Sequence, residues 1–529
     1  MDATFREVAE ATVDDLLRLR PELATDLGEH AHDDRLDDLS PAALAGERQL
    51  LAGRRDELDS LDLDALDAQE AVDADILRSG LDQRIFALEV LQETTWNPLV
   101  WLPGEALHPL LARATVPLPD RLRALAARLA QVPDRLLLAR SSLGPMPRIH
   151  VETALSRLPG VAALVRDEVS RLAVGDAGFA AVLAPPQDAA LTALGGFREW
   201  LLEQLPLADR DPRLGPEVFA AKLHLTLDAD LAAGDVVRLA REHLEEVSAE
   251  LVRTVREWTG SDDVRAALDR VAAEAPDDAG IVALAGRTLA ETTEAVRRSG
   301  MLGLPDQECV VQVMPEFRRG VAVAYCDAPG PLEQGGETFF AISPAPVDWP
   351  AERVASLYRE YNTAMVTNLT VHEAMPGHVT QLALARRFRG STRVRQVLAS
   401  GSFVEGWAVH AERLMAETGH GGVPVRLQQL KMQLRMTLNA LLDAGVHSGG
   451  MGEGEALALM TDVGFQEEAE AAGKWRRALL TSAQLSTYFV GWAELDPVLR
   501  GRTTYDDVLA HGSPPPRHLP ALLATPDSS

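Results

Sequence analysis

From Phe5 to about Arg298, apolar residues recur at three- and four-residue steps, broken at intervals by short runs of turn formers. The pattern predicts helices over residues 41–60, 69–93, 117–142, 147–172, 187–205, 229–259 and 279–298. The breaks fall at Asp33-Asp34, Pro117 to Pro119, Gly144-Pro145, Pro185-Pro186, Asp209 to Gly215 and Pro276-Asp277. No period of roughly 20–50 residues repeats, so a solenoid is not supported. Thr95-Trp96-Asn97-Pro98-Leu99-Val100-Trp101 interrupts the helices and reads as core packing, with the lining of a pocket as the alternative.

The period then changes. Residues 308–314, 320–325 and 336–342 are short runs rich in β-branched and aromatic residues, punctuated by Pro315, Pro329-Gly330 and Gly335-Gly336. They predict a small antiparallel sheet, with an edge strand on which an extended peptide would pair or a purely structural flap. Helical spacing resumes over Ala351 to Asn362, Ala364 to Met375, 401–418 and Arg426 to His447. The expected class is mainly α, with a small antiparallel sheet beside the active-site cleft. The expected parts are an N-terminal helical lobe (1–304), a sheet insert (305–345), a C-terminal catalytic lobe (346–523) and a tail (524–529).

Composition narrows the partners. The 529 residues carry a net charge of −28, from 51 basic and 79 acidic side chains, which argues against nucleic acid or an anionic membrane as the main partner. Cys309 and Cys326 are the two cysteines, so neither a disulfide framework nor a cysteine zinc site is expected. No basic stretch followed by an apolar run opens the sequence, and no segment approaches the ~18 apolar residues of a membrane span. The expected address is the cytoplasm; the oligomeric state is not legible.

The candidate chemistry lies in His372-Glu373-Ala374-Met375-Pro376-Gly377-His378. In H-E-x-x-H zinc sites the histidines stand at i and i+4 on one helical face, with the glutamate placed to act on water. Here the second histidine is at i+6, roughly 240° round a regular helix and on the wrong face. Pro376 and Gly377 offer a remedy, because proline removes a helix donor and glycine accepts unusual dihedrals. A break between Met375 and His378 would swing His378 back towards His372. The rival reading is a helix that simply ends, with two unrelated histidines.

Glu405, Ala408, Val409 and Glu412 share one stripe of the 401–418 helix, and Phe403, Trp407, His410 and Leu414 another. Glu405 suits a third metal ligand, with Glu412 as a supporting acid. Arg435, Asn439, Asp443 and His447 follow at four-residue steps on the next helix. If that stripe faced the cleft, Arg435 or His447 would bind a substrate carboxylate or a developing oxyanion; otherwise it is a solvated face. Tyr488 is the candidate hydroxyl donor to a tetrahedral intermediate, or an ordinary half-buried tyrosine.

These stretches resemble the DUF885 proteins, a bacterial family of predicted zinc metallopeptidase-like proteins. The likeness runs through Tyr361-Asn362, the His372 to His378 motif with Gln381, and Glu405-Gly406-Trp407-Ala408 with Glu412-Arg413-Leu414. It continues through Asp443 to His447, Gln484 with Tyr488 and Gly491, and Leu509 to Pro514. It implies a large two-lobed, metallopeptidase-like helical fold with a deep cleft, similar to helical gluzincin carboxypeptidases and oligopeptidases. It also implies His372, His378 and Glu405 as ligands of Zn2+ and Glu373 as general base. Two positions depart from the family pattern: Val379 stands where a further histidine is frequent, and His410 where tyrosine is usual. The first leaves the ligand set intact; the second puts a catalytic role for that position in doubt.

The expected function is therefore a zinc-dependent peptidase acting on short peptides, with Glu373 as base and Tyr488 or His447 steadying the oxyanion. Glu412, Asp443, Arg435 and His410 are candidates to support the ligands or bind substrate. Two rivals stand beside it: a zinc amidohydrolase acting on a non-peptide amide, and a helical peptide-binding protein without turnover.

Overall fold

The computed structural model describes residues 4–174, 177–314, 323–347 and 349–524. The chain is mainly helical and divides into two compact units. The first comprises Met1–Pro212, Pro329–Glu337 and Gly390–Val397. Its long helices include Pro41–Asp59, Leu118–Ser142, Arg148–Ala163 and Ala177–Gln204. The last of these runs through Pro185-Pro186, where a break was expected. Trp96 and Trp101 are buried in this unit, their indole N–H groups donating to the carbonyls of Leu91 and Thr94 just upstream. Buried Arg395 is held by Asp73 at 2.6 Å, so this charge pair is fully withdrawn from water.

The second unit comprises Arg213–Ala328, Thr338–Arg389 and Leu398–Ser529. Its division from the first falls after Pro212, not near residue 304, for a packing reason. Phe219, Leu223 and Leu227 share a core with Met436, Ala440 and Phe489. Val247, Leu251 and Val255 likewise pack with Leu427, Leu430 and Leu434. Helices that precede the sheet in sequence are thus bound to those that follow it.

The helices and strands that build the site are numbered in chain order: α1 (Gly280–Ser299), β1 (Cys309–Val313), β2 (Ala324–Asp327), β3 (Thr338–Ile342), α2 (Ala351–Glu360), α3 (Thr363–Glu373), α4 (His378–Ala385), α5 (Gly401–Glu417), α6 (Gly422–His447), α7 (Glu468–Leu480) and α8 (Thr487–Leu499). The sheet has the order β1-β3-β2 and is mixed, not antiparallel throughout. β1 runs parallel to β3, with Cys309 opposite Thr338, while β2 runs antiparallel, with Cys326 opposite Phe340. β3 therefore takes the centre, and its Phe340, Ala341 and Ile342 are fully buried. The expected second strand began at Gly320; residues 320–322 lie outside the described residues.

α3 is enclosed on every side, with residues 364–372 all buried, as suits a helix lacking a polar face. Asn362 caps it by accepting the Met365 N–H at 3.1 Å. α5 and α8 meet at Gly406 and Gly491, where a Cβ on either would overlap the facing helix backbone. That close approach fixes the depth at which α5 presents its carboxylates.

Candidate metal centre

The expected break occurs. α3 ends at Glu373, the chain turns through Ala374 to Gly377 across a cis Met375-Pro376 peptide, and α4 opens at His378. Two contacts hold the turn: the Gly377 N–H donates to the Val371 carbonyl at 3.0 Å, and the Trp407 indole N–H donates to the Pro376 carbonyl at 2.9 Å. Only glycine fits at 377, since a Cβ would overlap the carbonyl oxygens of His372 and Val371. The result is that the His372 and His378 rings lie 4.8 Å apart, nearly perpendicular at 87°.

Glu405 reaches both rings from α5. Its Oε2 lies 3.5 Å from Nε2 of His372 and 3.6 Å from Nε2 of His378. Those separations are long for hydrogen bonds, and Glu405 Oε2 is buried with no hydrogen-bond partner. They match the spacing of about 3.4 Å between two ligand atoms set tetrahedrally at ~2.1 Å from one ion. His372, His378 and Glu405 are the one such group found among the described residues, with ligand atoms within 4.8 Å of one another. The donor set, two imidazoles and a carboxylate, fits zinc.

The surroundings prepare these groups. Nδ1 of His372 lies 2.7 Å from Glu412 Oε1, and the Asn368 amide donates to Glu412 Oε2 at 2.6 Å. Glu412 is thereby fixed, the His372 proton belongs on Nδ1, and Nε2 is left to face Glu405. Burial alone would raise the Glu405 pKa, but His372 and His378 outweigh it and hold the group well below the usual carboxylate range. For His372, burial works downwards, and Glu405 with Glu412 reverses it to a strong upward shift.

His372 and Glu373 border a cavity of about 190 Å³, whose wall also includes Glu412, Arg435, Lys474, Arg477 and Tyr488. Glu373 Oε2 accepts the Cys326 N–H of β2 at 3.1 Å, leaving its other oxygen uncommitted. The Tyr488 hydroxyl accepts from Arg477 Nη2 at 3.1 Å, so its own hydrogen is free to be donated elsewhere. Burial, aided by the Glu405 charge, raises the Tyr488 pKa and keeps the phenol protonated.

Three expected site residues stand elsewhere. His447 is buried with Nε2 2.9 Å from both the Ala478 and Thr481 carbonyls, and its Nδ1 accepts from the Leu214 N–H at 3.4 Å. With both nitrogens engaged away from the cavity, it cannot steady an oxyanion. Asp443 accepts the Ala483 and Ser486 N–H groups and the Ser486 hydroxyl, at 3.1, 3.2 and 2.8 Å, which makes it a structural anchor for the turn leading into α8. His410 sits between the Trp407 and Tyr505 rings with neither nitrogen hydrogen-bonded, and burial lowers its pKa to about 4. Arg435 does reach the cavity wall, but Glu360 at 2.6 Å and Glu470 at 3.5 Å already claim its charge. Asn368, Lys474 and Arg477 were missed; only Asn368 had a signal, standing four residues before His372 on one helix face.

Fold and site together define a mainly helical protein with a candidate two-histidine, one-glutamate centre opening on a small cavity. The chain belongs to the family described as "Bacterial protein of unknown function (DUF885)", whose model matches residues 21–523. It is similar to the solved structure of a "putative lipoprotein of unknown function" from Shewanella oneidensis, at 27% identity and TM-score 0.81, covering 99% of this chain and 100% of that one. A "putative lipoprotein" from Colwellia psychrerythraea shares the fold at 15% identity and TM-score 0.80, over 98% of both chains. An M32 carboxypeptidase from Deinococcus radiodurans R1 aligns over 96% of this chain and 90% of its own, at 12% identity and TM-score 0.39, a likeness too slight to bear on fold or function. No curated protein matches the chain in sequence. Among the described residues, no helix is long and apolar enough to cross a membrane.

Proposed function

We propose that the protein is a zinc-dependent hydrolase that cleaves short peptides. The observation that carries this reading is Glu405 Oε2, buried without a hydrogen-bond partner and 3.5 and 3.6 Å from the Nε2 atoms of His372 and His378. A buried ionised oxygen with no partner is costly, and a cation at that point removes the cost. Held by these three residues, a zinc ion supplies Lewis acidity, polarising a carbonyl and bringing the pKa of water from about 15.7 towards about 7.

The remaining work falls to side chains of the cavity. Glu373, steadied through one oxygen by the Cys326 N–H, takes a proton from water with the other and delivers it to the leaving amine. Tyr488, whose oxygen is occupied by Arg477, turns its hydrogen towards the oxygen that gains charge as the carbonyl is attacked. Ala324 lines the cavity two residues before Cys326, on the same side of β2, where an extended peptide backbone can pair.

The test is Glu373→Gln, which preserves shape and removes the base. With zinc supplied, the wild type should hydrolyse blocked dipeptides, and the variant should lose about 10²–10⁴-fold in kcat while binding zinc as before. Equal turnover by the two proteins rules the reading out.

A further inference from the structure

One wall of the cavity carries two basic side chains, Lys474 and Arg477, that no carboxylate meets directly among the described residues. Lys474 on α7 is 8% exposed and lines the cavity; among the described residues no hydrogen bond or close ion pair reaches its ammonium, and Glu470 and Glu360 act on it only at longer range. Arg477, one turn further along the same face, donates only to neutral groups, the Gln484 amide oxygen at 2.7 Å and the Tyr488 hydroxyl at 3.1 Å. The two carboxylates that act on Lys474 have their direct contacts with other groups. Glu360 accepts from Lys431 at 2.9 Å, Arg435 at 2.6 Å and the Glu467 N–H at 2.9 Å; Glu470 accepts from the Tyr361 hydroxyl at 3.2 Å. A buried ammonium without a partner is an expensive feature to keep. Burial, with the Arg477 charge beside it, lowers the Lys474 pKa to about 7 against partial support from Glu470 and Glu360, so an anion bound beside it favours the charged form.

The rest of the cavity limits what can neutralise that charge. Its 190 Å³ lies below the roughly 300 Å³ at which sites for larger ligands begin. Trp349, Leu357, Met365 and Met432 supply apolar surface in the same space. An occupant with one carboxylate, one apolar side chain and an amide directed at His372 and Glu373 satisfies all three features.

We infer that Lys474 and Arg477 bind the terminal carboxylate of a peptide, so that the enzyme removes a single apolar residue from the C-terminus. This rests on the hydrolytic reading above and specifies its substrate. Water's oxygen joins the carbonyl carbon of the last peptide bond, the C–N bond breaks, and the amine takes the proton. The products are a shortened peptide and a free amino acid, and no other reactant is consumed. Acidic side chains offer the same carboxylate chemistry, so the test separates the two sources.

The full-length protein, supplied with zinc, is assayed on N-acetyl-Ala-Phe, on its C-terminal amide, and on N-acetyl-Ala-Glu amide. The free acid should exceed both amides in kcat/KM by at least about 100-fold. Lys474→Gln should shrink that ratio below about tenfold, mainly through KM, and Lys474→Arg should restore most of it. A second readout needs no turnover. Glu373→Gln should bind N-acetyl-Ala-Phe at least tenfold more tightly than its amide by calorimetry, and adding Lys474→Gln should abolish the preference. If the wild type cleaves acid and amide alike, or prefers the glutamate amide, the terminal-carboxylate assignment is overturned while the hydrolase stands. If nothing is cleaved but the binding preference and its loss are seen, the carboxylate site stands and the hydrolase falls.

Discussion

Nδ1 of His372 and Oε1 of Glu412 are 2.7 Å apart, both buried, and Asn368 holds the other oxygen of that carboxylate. This contact decides which nitrogen of His372 faces Glu405. Removing the carboxylate frees the ring to rotate and takes away one of the groups that raise its basicity. Glu412→Ala should weaken zinc binding about 10–100-fold. Competition against a chromophoric chelator measures it, and a Kd within twofold of wild type would show that Glu412 plays no such part.

Gly377 sets the turn that brings His378 beside His372. A methyl group there has no space against the His372 and Val371 carbonyls, so Gly377→Ala must push the turn outwards. Destabilisation of about 2 kcal/mol or more is expected, together with loss of stoichiometric zinc. Thermal unfolding paired with metal analysis checks both; a variant as stable as wild type that still holds one zinc would sink this account of the turn.

Most of the helices were legible because they bury one stripe, and apolar spacing reports that directly. Sheet direction was not, since nothing in three short apolar runs says which becomes central; β3 takes that place through contacts distant in sequence. The metal motif was legible as a constellation, and its odd spacing pointed to the break that occurs. The stripe on α6 misled for a geometric reason. Four-residue steps advance about 40° beyond each full turn, so Arg435 and His447, three steps apart, point about 120° apart. Arg435 and Asn439 reach the cavity; Asp443 and His447 have rotated past it. Lys474 carried no signal at all, because a missing partner is visible only once the fold shows what surrounds it.

Asp443 should matter for stability alone. It satisfies two backbone N–H groups and a hydroxyl at the turn before α8, and is fully buried. Asp443→Ala should cost about 2–3 kcal/mol in urea unfolding and leave zinc affinity unchanged. A loss of zinc without a loss of stability would return Asp443 to the site.

In the other unit, His30 donates to Asp33 at 2.8 Å and to Glu333 at 3.1 Å, and these bonds raise its pKa to about 9 against the partial cost of burial. A histidine whose pKa is raised on folding stabilises fully below its unfolded value near 6.5, and the contribution disappears as pH rises through 9. His30→Ala should therefore cost about 2 kcal/mol at pH 6 and much less at pH 9.5. Urea midpoints for both proteins at the two pH values read the difference directly, and a pH-independent gap would contradict the ion-pair account.

Everything proposed for this site depends on His372, His378 and Glu405 holding one metal ion. Equilibrium dialysis against zinc, followed by elemental analysis, tests it most directly. One zinc per wild-type chain is expected, and less than about a tenth of that in His372→Ala, His378→Ala and Glu405→Ala, each shown to be folded by circular dichroism. Substoichiometric zinc in the wild type, or full occupancy in the folded variants, would contradict it.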